Sequence, residues 1–138
     1  MYDSETGKVT AWNMPETYPD IFGLISGIRN DYPDIMFIME NVGHGMPGQS
    51  SAATAKFARH NGHLEMALFA LDIRTELVTP QKWMRYYSNT LGKSSQYTKT
   101  EWKNRLKGEA QRRFPTAKAT LKTADAILMA YYGAVNVQ

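Results

Sequence analysis

Cysteine is absent from all 138 residues. That rules out disulfide staples and thiolate metal centres, so a metal would have to be held by carboxylate, imidazole or carbonyl groups. Long apolar runs are also missing. No stretch has the length and apolarity of a membrane span, and the opening MYDSETGKVT lacks a basic segment followed by an apolar one. These absences lead to the expectation of a cytoplasmic protein with neither signal peptide nor membrane partner. Acidic residues are scarce in one region only. From Lys82 to Lys122 there are two acids against eleven Lys/Arg, a net +9, whereas Met1 to Gln81 carries a net −5. Such asymmetry inside a chain of net charge +3 suggests a polyanion-binding surface, with solvated helix faces as the plain alternative.

The length suits a single domain, residues 1–138, able to bury a core without staples. Residues 8–14, KVTAWNM, alternate as a strand does and follow the turn signal SETG, which makes them the second arm of a hairpin. Pro15 and Pro19 bracket an extended linker. Asp20 is a candidate N-cap for a short helix with Ile21, Leu24, Ile25 and Ile28 at helical spacing, ended by Pro33. Ile35 to Met39 is a short apolar run of the kind found in a strand covered on both faces of a parallel sheet. SSAATAKFARHNGHLEMALFALDI is the longest helical pattern. Ser50 or Ser51 is its candidate cap, its stripe is Ala53, Phe57, Leu64, Leu68 and Leu71, and Gly62 marks a possible close contact.

TELVTP reads as a further strand, and Pro80 suits the first turn of the helix PQKWMRYYSNTL. Thr98 to Glu101 matches the capping-box pattern, and the helix after it puts Trp102, Leu106, Ala110 and Phe114 on one stripe. Lys103, Lys107, Arg112 and Arg113 lie off that stripe. The last helix, TLKTADAILMAYYGA, turns Ala124, Ile127, Leu128 and Tyr131 inward and carries Asp125 near its start. The order of elements predicts an α/β layered domain with a small sheet.

Chemistry points first to Glu40. It ends the apolar run of the second strand and precedes a loop with Gly43, Gly45 and Gly48. Ligand sites in open α/β sheets lie outside the carboxyl ends of the strands. A half-desolvated carboxylate there is costly unless a cation compensates it, and Mg²⁺ or Mn²⁺ prefers oxygen ligands. A Glu that simply points to solvent at a strand end is the bland alternative. Asp125 is the second candidate, although an Asp in a first helical turn also serves the helix dipole. Two carboxylates and two divalent ions about 4 Å apart would suit phosphodiester hydrolysis, with the basic segment binding flanking phosphates.

The series GKVTAWNMP, FIMENV, SSAATAKFARHNGHLEMAL, LVTPQKWMRYY, KTEWKNRLKGEAQRRFP and TADAILMAYYG resembles the RuvC-like Holliday junction resolvases, phage-type members of the ribonuclease-H-like superfamily. It covers nearly the whole chain in order. The resemblance implies a mixed sheet flanked by helices and a homodimer, with the long helix after Glu40 in its interface. It also implies metal-dependent nicking of four-way-junction DNA. Glu40 matches the family's second acid and Asp125 its last. Two departures stand out. The family's first acid lies on a strand ahead of the GKV turn, so an N-terminal strand is expected to be missing or truncated. Lys122 stands one helical turn before Asp125, where the family often has an acid or His, and a protonated lysine cannot ligate a metal.

Candidate phosphate contacts are Lys82, Arg85, Lys99, Lys103, Lys107 and Lys122. His44, in the loop beside Glu40, is a candidate for DNA contact or proton transfer. His60 and His63 are a possible metal pair, for which packing or surface roles are the weightier alternative. Trp83, Tyr86 and Tyr87 suit base stacking, with a core role favoured for Trp83. The reading is a Mg²⁺/Mn²⁺-dependent endonuclease on branched DNA, with Glu40 and Asp125 as catalytic metal ligands. The alternatives are a catalytically incomplete branched-DNA-binding protein on the same fold and, with less support, a small α/β enzyme acting on a non-nucleic substrate.

Overall fold

A computed structural model describes residues 1–41 and 50–137. The chain divides into two compact units, Met14–Thr79 and Met1–Asn13 with Pro80–Gln138, and each is described by itself. Among the described residues the fold is mixed α/β, with six α-helices and one two-stranded parallel sheet.

In the first unit, α1 spans Tyr18–Asp31. Its N-cap is Thr17, whose hydroxyl oxygen accepts from the Asp20 amide at 3.3 Å. The cap therefore lies three residues ahead of the Asp20 expected from sequence, and Pro19 sits inside the first turn, where its missing N–H costs nothing. Ile21 and Ile25 are buried, while Leu24 and Ile28 are half-buried. Strand β1, Met36–Glu40, pairs in parallel with β2, Arg74–Val78, with Met36 opposite Arg74 and Glu40 opposite Val78. The Asn41 amide extends the ladder by donating to the Val78 carbonyl at 2.9 Å. Only Met39 of β1 is fully buried, so the strand is covered less completely than its unbroken apolar run predicts.

Helix α2, Ser51–Ala70, connects the two strands and is capped by Ser50, whose hydroxyl accepts from the Ala53 amide at 3.2 Å. Leu64, Ala67 and Leu68 pack with Ile21, Ile25, Met39 and Ile73 into one core. The stripe expected from sequence fails in its first half, because Ala53 and Phe57 are exposed. The buried face begins only where α2 meets the sheet and α1. Nor is Gly62 a close packing contact, since a Cβ built there meets nothing within 4 Å.

In the second unit, Tyr2 and Val9 form an antiparallel bridge. Asp3 folds the turn between them. Its carboxylate accepts from the Glu5 amide at 2.9 Å and the Thr6 hydroxyl at 2.7 Å, and Gly7 takes φ +68°. The hairpin expected around SETG therefore forms, but it is one bridge long. The strand expected over residues 8–14 is a correction. Val9 is buried, but beyond it the alternation covers little, because Trp12 and Met14 are about half exposed, and a strand without a partner ladder leaves its backbone to solvent. The mixed sheet expected from the resemblance is, among the described residues, a parallel pair and an isolated bridge.

Helix α3, Pro80–Tyr86, starts at its proline, and the run expected as one helix breaks at Tyr87 before α4, Ser88–Leu91. Trp83 is wholly buried and Tyr87 nearly so, and the Tyr87 hydroxyl donates to the Leu128 carbonyl at 2.7 Å. These two rings are core, which leaves the partly exposed Tyr86 as the one ring of that trio open to a ligand.

Helix α5, Lys99–Arg113, has the expected capping box. The Glu101 amide donates to the Thr98 hydroxyl at 3.3 Å, and the Glu101 carboxylate accepts from the Thr98 amide at 2.8 Å. Trp102, Leu106 and Ala110 of α5 face the buried Ala124, Ile127, Leu128 and Tyr132 of α6, Ala124–Asn136. Tyr131, expected inward, is half-buried, with its ring against Tyr2 and Phe114.

Since Gly62 lies in a helix interior with open space around it, Gly62→Ala should raise the unfolding free energy by about 0.5–1 kcal/mol. A urea titration checks this, and an unchanged or lowered midpoint would show that the position needs glycine.

Candidate functional site

Glu40 is the last residue of β1 and is half-buried at the carboxyl end of the parallel pair, where a ligand-facing residue is expected. The glycine-rich loop after it, including His44, lies outside the described residues. Asp125 belongs to the other unit.

Asp125 sits in the first turn of α6, a helix otherwise apolar over ADAILMAYYGA. Its side chain is one-third exposed. One carboxylate oxygen, Oδ2, accepts from the Lys103 ammonium, across 22 residues of sequence. The other, Oδ1, is enclosed by protein and has no hydrogen-bond partner. An ionised carboxylate has about four acceptor sites, and leaving an enclosed one unmet costs roughly 1–3 kcal/mol. The charge of Asp125 is thus balanced by one lysine, while its hydrogen-bonding capacity is only partly used. Lys103, expected from sequence to contact phosphate, is the half-buried partner of this carboxylate.

The other predicted cations fall where a polyanion could reach them. Lys82, Arg85, Lys99, Lys107 and Lys122 are all exposed. They share a unit with twelve Lys/Arg and five Asp/Glu, a net +7. In the Met14–Thr79 unit, His60 lines a groove of about 500 Å³ with Glu16, Tyr18, Lys56 and Arg59. The His63 ring packs edge-on against Tyr18 at 4.0 Å. Two cations beside His60 disfavour a further positive ion, which agrees with surface and packing roles for this pair. Among the described residues no three His, Asp or Glu side chains gather as a metal cage.

The same unit contains a charge cluster that was not singled out from sequence. Glu109 is 5% exposed and accepts from Arg112 at 2.8 and 2.9 Å and also from Arg113. The Arg112 hydrogen bond is the main reason its carboxyl is held below the ordinary value of 4.5, against the opposing effect of burial. Arg113 also lies over the rings of Tyr87 and Tyr131, at 5.2 and 5.6 Å. The spacings i,i+3 and i,i+4 were the available signal. Burial pushes up the pKa of the Tyr87 hydroxyl, which keeps it a neutral donor.

No protein-family model matches the chain, and no curated protein matches it significantly.

A depressed carboxyl pKa contributes stability above the unfolded value, which is lost as pH falls through the folded one. Glu109→Gln should therefore be destabilised against the unchanged chain at pH 7, and the gap should narrow as pH falls below about 4.5. Urea unfolding at pH 7 and pH 3 checks this, and a gap that stays constant would detach Glu109 from the acid response.

Proposed function

We propose that this chain is a divalent-metal-dependent endonuclease that binds branched DNA as a homodimer, in the manner of the RuvC-like resolvases of the ribonuclease-H-like superfamily. The observation that carries the reading is Asp125. It is a carboxylate embedded at the head of an apolar helix, with one enclosed oxygen unbonded, in a unit of net charge +7. An oxygen donor with unused acceptor capacity suits Mg²⁺ or Mn²⁺, and Glu40, at its strand end, has the same donor chemistry. Bound there, the ion would supply an activated water and stabilise the leaving oxygen of a phosphodiester. Lys82, Arg85, Lys99, Lys107 and Lys122 neutralise phosphates, and His44 adds a contact from the loop after Glu40. Dimerisation is supported by α2, on which Phe57, Met66 and Phe69 are 48%, 64% and 83% exposed.

One observation favours a second reading, a catalytically incomplete protein that holds branched DNA without cutting it. Lys103 already supplies Asp125 with a positive charge. An ammonium in that position can stand in for a metal's charge but not for its Lewis acidity.

The deciding assay uses a labelled four-way junction beside a linear duplex of the same sequence, with Mn²⁺ or with EDTA. Paired nicks in the junction alone, dependent on metal and lost in Glu40→Gln and Asp125→Asn with binding retained, are the expected result. A junction-specific shift without nicks selects the binding-only reading, and neither shift nor nicks overturns both.

A removable counter-ion also makes a prediction. Lys103→Met should strengthen Mn²⁺ binding in calorimetry by several-fold if Asp125 is a ligand, because the competing cation is gone. An unchanged Mn²⁺ isotherm would remove Asp125 from the metal site.

A further inference from the structure

The Met1–Asn13 and Pro80–Gln138 unit holds a groove of about 370 Å³ that the candidate residues above do not use. One wall is the segment after the hairpin turn, with Lys8 and Thr10. The other is the stretch leading into α6, with Thr116, Lys118 and Thr120. The lining contains two lysines, several threonines and an asparagine, but no carboxylate. Among the described residues neither lysine has an ion-pair partner. Asp3, whose charge Lys8 feels, spends its carboxylate on the turn, accepting from Glu5 and Thr6. Lys118 holds a left-handed backbone, φ +48°, that glycine or asparagine would adopt at lower cost. The groove runs to Thr123, the residue before α6 and two before Asp125.

We infer that this groove is a phosphate-tracking site, in which Lys8 and Lys118 hold backbone phosphates of the DNA strand beside Asp125. The inference rests on the proposed nucleic-acid function and adds two contacts to it. The physical reasons are charge and geometry. Two ammonium groups without an ion-pair partner, in a groove lined by no acid on a unit of net +7, concentrate positive charge where a phosphate can reach it. Of the lining threonines, Thr120 and Thr123 bond to each other through their hydroxyls, which leaves Thr10 and Thr116 as neutral donors of the kind that fix a phosphate's position, and such contacts set register without reading sequence.

The test is junction binding in EDTA across a range of salt concentrations. It compares the unchanged chain with Lys8→Gln/Lys118→Asn and Lys8→Arg/Lys118→Arg. Asparagine is chosen because it tolerates the left-handed backbone. Each phosphate neutralised contributes about −0.9 to the slope of log affinity against log salt. The Gln/Asn variant should have a slope shallower by about 2 and bind on the order of tenfold more weakly at moderate salt, and the arginine variant should keep the original slope. Thermal melts verify folding. Should the double variant unfold, the two single variants decide the point, each with a slope change of about 1. Slopes equal to that of the unchanged chain overturn the groove while leaving the DNA-binding function in place. An unchanged chain that binds no junction at any salt overturns that function, and the groove with it.

Discussion

Parallel strands cannot be joined by a tight turn, because the chain must travel back the full length of the strand before it can pair again. This constraint organises the Met14–Thr79 unit. The return path from β1 to β2 is α2, and α2 must bury a stripe on the pair it connects. Leu64, Ala67 and Leu68 do so, and α1 closes the same core through Ile21 and Ile25. The polarity of the pair then sets the position of Glu40. Both strands end together, with Glu40 opposite Val78, which places Glu40 at the carboxyl end of the pair. The part of α2 that extends past the core has nothing in its unit to cover it, which is why Phe57 is exposed.

The other unit follows a different rule. Its core is helical and aromatic, and among the described residues all but two of its enclosed polar side-chain atoms, Trp102 Nε1 and Asp125 Oδ1, have a hydrogen-bond partner. The Tyr87 hydroxyl reaches the Leu128 carbonyl, and Glu109 is surrounded by two guanidinium groups. Asp125 departs from that rule. It has one partner, Lys103, and one enclosed oxygen with none. Enclosed polar atoms without a partner are where strain or chemistry is found, and of the two here only Asp125 is a charged group able to take a cation. The lysines in turn make sense as a set. A net +7 confined to one unit would attract a polyanion through the summed field, in which no single contact needs to be strong.

Local signals in the chain were accurate where the interaction itself is local. Pro80 opens α3, Thr98 and Glu101 close their capping box, and SETG makes its turn, because each depends on residues within a few positions. The apolar run at β1 and the TELV segment are strands as expected, and the structure pairs them with each other in parallel. Errors arose where a pattern needed a partner to give it meaning. KVTAWNM alternates like a strand, yet alternation builds a strand only when another backbone accepts its hydrogen bonds and another surface covers its apolar face. Ala53 and Phe57 continue the α2 stripe by spacing, but the surface that would bury them is not in their unit. Asp20 has the side chain of a cap, and Thr17 took the role because the helix could begin before Pro19.

By itself the amino-acid sequence determined the α/β alternation, the helix starts at Pro80 and Thr98, the core role of Trp83 and the division of charge between the two stretches of chain. All of these follow from short-range geometry, side-chain size and simple composition. Only the tertiary structure decided that Lys103 pairs with Asp125 and that Lys8 and Lys118 line one groove. Each of those depends on the packing of elements, which brings together side chains up to 110 residues apart in the chain. No periodicity or spacing encodes such a meeting, since it is set by which apolar faces find each other and by the desolvation those contacts impose on charged groups nearby.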